Sequence, residues 1–275
     1  MEDGRPAPLR AATVGGRGQE RGLKVRIDRG VARVTLDRQA QRNALSLSLL
    51  VELGDALLEI GKNSEIRAIV IGGAGPAFSA GHDLRELQAS SPEEAEALFA
   101  RCSEVMYALH EVPQPVVARV HGVATAAGCQ LVAACDLAVA ARSASFATPG
   151  VRIGLFCSTP AVPLVRAIGR KRALEMLLSG APIDAGTALA WGLVNRVVAD
   201  DALDQAVDEI LAPILAASAA TLALGKRAFY RQVDASEGEA YLVAAEAMCV
   251  NSGNADAREG VAAFLEKRPP VWKRT

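Results

Sequence analysis

Two short stretches carry the candidate chemistry. "AFSAGHDL", Ala77 to Leu84, runs through small residues into Asp83 and a charged segment. "ATAAGCQL", Ala124 to Leu131, runs through small residues into a helical pattern that starts near Ala127. Small side chains let a ligand approach the backbone, and a helix start offers unpaired N–H groups at the positive end of its dipole. One N–H from each stretch could hold the negative oxygen that develops on a carbonyl. The same pattern also serves plain strand-to-helix packing in α/β domains, so it decides nothing alone.

The side chains nearby offer little proton chemistry. His82 titrates near neutrality, yet at such a position its backbone N–H is the more useful group. Asp83 reads as a cap or brace of its turn. Cys129 and Cys157 become nucleophiles only if their thiolates are stabilised, and the favoured reading is a buried thiol for each. Ser158 and Thr159 could orient a water but have no evident base. His121 reads as a turn hydrogen bond and Asp136 as structural. His110, at the end of "VMYALHEV", reads as a protonated imidazole favoured by the helix dipole. There is no Gly-x-Ser-x-Gly elbow, phosphate loop or dinucleotide fingerprint.

The elements that must position these residues follow from periodicity. "LKVRIDRGVARVTLDR" alternates on both sides of Arg29-Gly30 and predicts a β-hairpin. "ALSLSLLVELGDALLEIGKN" switches to a helical period, with Ser46 as N-cap and Gly61 as stop. "IRAIVIGGAG" is a continuous apolar run of the kind found in buried parallel strands. Ser91-Pro92-Glu93-Glu94 is a capping box with proline at the first helical position. Strand "PVVARVHG", the Ala127 helix and strand "DLAVAAR" follow. The order predicts an α/β core with helices packed on sheets, over residues 23–198. From 199 to 275 the chain reads as an Ala-rich helical subdomain without strands.

Composition bounds the function. The 275 residues are 51% hydrophobic and 22% charged, enough for a sizeable core. Aromatics make up only 4%, so that core must rest on Ala, Val, Leu and Ile. A net charge of -1 gives no basic field to attract nucleic acid or an anionic membrane. No apolar run reaches the roughly 20 residues of a membrane span. Five cysteines without a CxxC pair argue against a disulfide framework or a zinc knuckle, and predict buried free thiols and no metal. Residues 1–22, rich in Gly, Pro and Arg, read as a flexible arm. Its Glu2, Asp3 and Glu20 weaken an organelle-import reading, so a cytoplasmic compartment is expected.

From about Val25 to its end the chain resembles the crotonase (enoyl-CoA hydratase/isomerase) superfamily. "RNALS" at 42–46, "AFSAGHDLREL" at 77–87, "GVATAAGCQLVAACDLAVA" at 122–140, "ASFATPGVRIGL" at 144–155 and the closing "GVAAFLEKRPPVW" fall in that family's order. The resemblance implies a crotonase-like ββα spiral core, a C-terminal helical oligomerisation subdomain, and a homotrimer or dimer of trimers. It implies an acyl-CoA or enoyl-CoA ligand, with coenzyme A as part of the substrate thioester and no cofactor bound permanently. The oxyanion donors map to the N–H groups of His82 and Ala127; the second is usually a glycine in the family, but alanine keeps its N–H. Coenzyme A contacts map to Arg42, Ala44, Ala80, His82, Asp83, Leu84 and Arg85, whose charge suits a phosphate. Phe264 and Lys267 map to a tail that reaches coenzyme A, often from a neighbouring subunit.

The departures from the family pattern are as informative. Its hydratases use two glutamates, and their positions hold Gln130 and Gly150. An amide does not titrate usefully and glycine has no side chain, so neither does acid–base work. The resemblance therefore implies an enolate holder with atypical or weak hydratase activity. The alternatives are a non-catalytic thioester binder and a thioester hydrolase or decarboxylase using the same oxyanion hole.

Overall fold

The computed structural model describes residues 22–273. The expected arm at 1–22 thus lies, apart from Gly22, outside the described residues. Strands β1 (Leu23–Asp28) and β2 (Val31–Leu36) pair antiparallel in the expected hairpin. Arg29 and Gly30 both have positive φ, 48° and 77°, the twist that a two-residue hairpin turn requires. Helix α1 (Leu47–Lys62) starts where predicted, with the Ser46 hydroxyl accepting from the Leu49 N–H at 3.2 Å. It does not stop at Gly61: it runs to Lys62 and Asn63 closes it, its N–H bonding the Ile60 carbonyl.

A repeating path follows, in which each strand of a large sheet is succeeded by a short strand of a small one. Strand β3 (Ala68–Gly73) leads to β4 (Ala77–Ser79), then to helices α2 (Leu84–Ala89) and α3 (Pro92–Glu111). Strand β5 (Val116–Val120) leads to β6 (Val123–Thr125) and helix α4 (Ala127–Ala134). Strand β7 (Leu137–Ala141) leads to β8 (Ser145–Ala147), then helices α5 (Ser158–Ile168) and α6 (Arg170–Ser179). The two-residue strand β9 (Ile183–Asp184), helix α7 (Ala185–Trp191) and strand β10 (Arg196–Val198) close the path.

The large sheet has the order β1-β2-β3-β5-β7-β10 and is parallel from β2 onward; the small sheet has the order β4-β6-β8-β9. This is an α/β spiral of ββα turns. Periodicity alone did not reveal the small sheet, whose strands are two or three residues long. The central strands β3, β5 and β7 are buried on both faces, which is why "AIVIGG" and "LAVAA" read as unbroken apolar runs. One face meets α1, α3 and α4; the other meets α8 (Leu203–Ala216) through Leu203, Val207 and Leu211. The Ser91 capping box forms as predicted, with Ser91 and Glu94 satisfying each other's backbone N–H.

Beyond Val198 the described α-helices are α8, α9 (Ala219–Gln232), α10 (Glu237–Ser252) and α11 (Ala255–Glu266), with no strand among them. The chain bends by 105° between α8 and α9, where the Ser218 side chain caps α9. Among the described residues no single helix is long and apolar enough to cross a membrane. Four cysteines are buried as expected, but Cys249 is exposed, since it lies on α10, none of whose residues is buried.

Candidate functional site

The site is built from Asn43 upward. Arg42 and Asn43 take consecutive left-handed conformations, φ 51° and 55°, which drives the Asn43 side chain into the protein. Its Nδ2 donates to the carbonyls of Ala74, Ala77 and Phe78 at 2.9, 2.8 and 3.2 Å, and its Oδ1 accepts from the Arg38 N–H at 2.9 Å. Strand β4 is thereby fixed at both ends. Ser79 donates to the Asn43 carbonyl at 2.9 Å and accepts from the Gly81 N–H at 3.3 Å, carrying the order into the next turn. Nothing in the sequence pattern singled out Asn43 or Ser79 for this task.

The two small-residue stretches meet in space. Thr125 donates to the Ala80 carbonyl at 3.0 Å, tying one turn to the other. Gly81, with φ 88°, comes so close that a β-carbon on it would lie 2.8 Å from Ala126 Cβ and 3.2 Å from the Ala127 nitrogen. Neither the His82 nor the Ala127 N–H has an acceptor among the described residues. Ala126, just before α4, sits at φ 48° and ψ −119°, a backbone region that alanine rarely occupies. Strain of this kind costs about 1–3 kcal/mol and persists only where the surroundings impose it. It is imposed here by the bond from the Ala126 N–H to the Ala147 carbonyl at 2.9 Å and by Gly81 on the other side.

The His82 ring is turned to structural partners. Its Nδ1 lies 3.2 Å from the Leu45 carbonyl, which can only accept, so Nδ1 carries the hydrogen. The ring stands edge-on to Phe99 at 5.3 Å, and burial pushes its pKa down, favouring the neutral imidazole. Asp83 caps α2 by accepting from the Arg85 N–H at 3.2 Å, and pairs with Arg38 at 3.4 Å. Arg42, Leu84 and Arg85 are exposed around these turns, and Ala44 is buried beneath them. Phe264 and Lys267 lie on or just after α11, which packs against α9 and α10; no hydrogen bond or ring contact joins them to the His82 or Ala127 turns among the described residues.

Gln130 follows Ala127 by three residues on α4, so both lie on one helix face. It is 3% exposed, and its Oε1 is buried without a partner. Gly150 is buried where there is no room for a side chain: a β-carbon would lie 2.5 Å from the Leu155 carbonyl oxygen and 2.8 Å from Cys157 Sγ. Burial pushes the Cys129 thiol up to about 12 and also raises Cys157, so both resist ionisation. His82 Nε2, Gln130 Oε1 and Thr148 Oγ1 are all buried side-chain atoms lacking a hydrogen bond. Such atoms are uncommon in folded proteins; His82, Gln130 and Thr148 supply three of the seven among the described residues.

A cavity of about 1200 Å³ opens beside α4 and is lined by Gln130, His110, Asp136, Thr159 and Tyr230 among others. Gln130 is the one member of the set His82, Ala127, Gln130 and Gly150 on its wall. Asp136 is structural, as expected: its carboxylate accepts from the Val116 N–H at 2.7 Å and the Tyr230 hydroxyl at 2.8 Å, and pairs with Lys226 at 2.6 Å. His110 departs from expectation. Its Nε2 lies 3.1 Å from the Ala134 carbonyl and its ring stacks on Tyr230, and burial lowers its pKa away from the protonated form. His121 bonds the Gly75 carbonyl at 2.8 Å, the turn bond expected of it.

A family model described as "Enoyl-CoA hydratase/isomerase" matches residues 26–275. The rat (Rattus norvegicus) enoyl-CoA hydratase domain-containing protein 3, mitochondrial, is 44% identical over 97% of this chain and 89% of its own length. Its human (Homo sapiens) counterpart is 46% identical over 88% of this chain and 80% of its own. The crystal structure of an enoyl-CoA hydratase from Mycobacterium smegmatis superposes with a TM-score of 0.90 at 50% identity, covering 92% of this chain and 99% of that one. That of the human domain-containing protein 3 gives 0.88 at 44%, covering 92% and 100%. The cytoplasmic expectation is corrected by these relatives, since the rat and human proteins are both named mitochondrial. Acidic residues in an arm are a weak argument against the compartment that such relatives carry in their names.

Proposed function

Because the chain belongs to the enoyl-CoA hydratase/isomerase family, we propose that it binds an acyl-CoA thioester and holds the charge of a thioester enolate between the N–H groups of His82 and Ala127. The observation that carries this reading is the meeting of the two turns, with both N–H groups free of protein acceptors and the Gly81 backbone pressed against Ala126 and Ala127. Donors fixed in advance around a developing oxyanion are the strongest single contribution to this kind of chemistry. Arg42 and Arg85, exposed at the rim, are suited to the nucleotide phosphates. Exposed apolar side chains on α10 and α11, Leu242, Met248, Phe264 and Leu265, support association of copies into a trimer or a dimer of trimers.

Proton transfer is the weak part of the site. Gln130 has no titrating proton, and Gly150 has neither a side chain nor space for one. Each missing acid or base typically removes about 10²–10⁴ in rate, so hydration is slow. The closed Gly150 position also favours a second reading, a thioester binder that does not turn over. Enone absorbance of a panel of enoyl-CoAs, together with calorimetric titration of the same compounds, separates the two. Measurable but slow loss of the enone supports the weak hydratase; binding without loss supports the binder; turnover at an ordinary hydratase rate, or no binding at all, overturns the proposal.

A further inference from the structure

In a chain with only 4% aromatic residues, four ring side chains converge on the cavity beside α4: Tyr107, His110, Phe229 and Tyr230. They form a continuous ladder. Tyr107 meets His110 edge-on with centroids 6.5 Å apart, His110 stacks on Tyr230 at 3.9 Å and 10°, and Phe229 meets Tyr230 edge-on at 5.4 Å. Stacking of the two central rings is locked by bonds outside the ladder, Tyr230 to Asp136 and His110 to the Ala134 carbonyl.

The polar groups of this wall are not equivalent. The Tyr230 hydroxyl is committed to Asp136 at 2.8 Å. His110 uses Nε2 as donor to Ala134, so its Nδ1 keeps a lone pair, and no described residue bonds to it. The wall therefore offers flat rings and, beyond the unpartnered Oε1 of Gln130 at its α4 end, an acceptor within the ladder itself at His110 Nδ1. The other polar groups on it are committed within the protein: Asp136 to Val116, Tyr230 and Lys226, Asn195 to the Ala138 N–H, and Arg166 to Asp234.

Helix α4 connects this wall to the proposed oxyanion site. Gln130 lies on the cavity one turn beyond Ala127, and the Ala134 carbonyl that His110 holds is about 10 Å along the helix axis from Ala127. Of the residues at that site only Gln130 reaches the cavity, so an acyl group would have to enter past Gln130 and follow α4 to meet the rings. We propose that the cavity takes the acyl part of an aromatic thioester, a planar aryl group bearing a hydroxyl, its ring packed on the aromatic ladder and its O–H donated to His110 Nδ1. This rests on the thioester-binding reading above and narrows its ligand class.

Calorimetric titration of the full chain with coenzyme A, octanoyl-CoA, cinnamoyl-CoA and 4-hydroxycinnamoyl-CoA tests it. Favourable ring geometry predicts that cinnamoyl-CoA binds about tenfold tighter than octanoyl-CoA. The hydrogen bond predicts a further gain of about fivefold for 4-hydroxycinnamoyl-CoA. His110→Phe keeps a flat ring and removes the acceptor, so it erases the hydroxyl gain and leaves the aryl preference. Tyr107→Leu touches neither the Asp136 nor the Ala134 bond and is expected to move the aryl preference back toward octanoyl-CoA. Octanoyl-CoA binding as tightly as the aryl thioesters overturns the inference, as does a hydroxyl gain that survives His110→Phe in a folded protein. Those results with coenzyme A still bound leave the thioester-binding reading standing, whereas loss of binding for all four compounds brings that reading down.

Discussion

Gly150 and Cys157 lie so close that a β-carbon on the glycine would sit 2.8 Å from the thiol sulfur, with the Leu155 carbonyl oxygen nearer still at 2.5 Å. The position to which the family resemblance maps the second glutamate is therefore filled by the chain's own backbone, not merely emptied. Putting carboxylates back is expected to fail for a packing reason. Gly150→Ala should already cost about 1–3 kcal/mol through overpacking. Gln130→Glu/Gly150→Glu should melt below Gln130→Glu alone and show no gain in the rate of enone loss. A hundredfold gain in a stable double variant would show that the segment from Leu155 to Cys157 moves aside.

Asn43 should matter more than any titratable residue near the site. It is fully buried, and its amide joins the Arg38 N–H to three carbonyls around β4. Asn43→Asp is nearly the same shape but turns the donor toward those carbonyls into an acceptor. It leaves buried acceptors unsatisfied, at about 1–3 kcal/mol each, and should lower stability by several kcal/mol in a urea titration. The folded fraction should also bind acyl-CoA at least tenfold more weakly, because β4 sets the Ala80–His82 turn. Unchanged affinity would separate Asn43 from the site.

The sequence reveals what is local and hides what is closed through space. The Arg29-Gly30 hairpin and the Ser91 box are legible because their partners lie close in sequence, within 13 positions for the hairpin strands and three for the box. The small sheet is not, because strands of two or three residues are too short to show a period. His110 illustrates the limit: a helix-end rule favours its charged form, yet the Ala134 carbonyl and Tyr230 ring that hold it lie 24 and 120 residues away in sequence. The break between α8 and α9 hides inside an unbroken Ala-rich stretch. Gln130 and Gly150 are legible as departures from a family pattern, but only the fold shows that Leu155 and Cys157 close the second position.

Ala126 stores strain that can be released. At φ 48° and ψ −119° it occupies a conformation natural to glycine. Ala126→Gly should raise stability by about 1 kcal/mol, the strain relieved being larger than the added freedom of the unfolded chain. Ala126→Val should lower it, since a branched side chain tolerates that backbone worse and faces Gly81. Thermal unfolding reads both. Acyl-CoA affinity should stay within about twofold for the glycine variant, because the group proposed to hold the thioester oxygen is the Ala127 N–H.

Acid should destabilise the fold through its histidines. Burial lowers His82 and His110 from the ordinary value of 6.5, so the unfolded chain binds more protons than the folded one below that pH. Their contribution is complete above about pH 6.5 and is lost as pH falls through and below it. Unfolding free energy measured in urea should therefore rise from pH 5 to pH 7. His110→Phe, which cannot titrate, should flatten that rise in addition to any constant offset. An unchanged slope would mean that His110 binds its proton equally well in the folded and unfolded chain, and a steeper one that the fold holds it protonated.

Lys226 should be the residue on which the attachment of α9 depends. Its ammonium pairs with Asp136 at 2.6 Å and donates to the Leu109 and Gln114 carbonyls at 2.7 and 2.9 Å, with its side chain 8% exposed. Burial lowers its pKa, and the neighbouring Asp136 charge opposes that fall, so the pair holds its charge only as a unit. Lys226→Met leaves the carboxylate without its cation and two carbonyls without a donor. Breaking a buried pair from one side costs about 3–5 kcal/mol, whereas replacing both partners costs much less. Lys226→Met/Asp136→Asn should therefore be more stable than Lys226→Met alone, since the amide oxygen can accept from the Val116 N–H and the amide nitrogen donate to the Tyr230 hydroxyl, with no unpaired charge left. In the single variant α9 should become the first segment cut in limited proteolysis, and the cavity wall formed by Phe229 and Tyr230 should go with it. Equal stability of the single and double variants would mean that Asp136 finds another cation once Lys226 is gone.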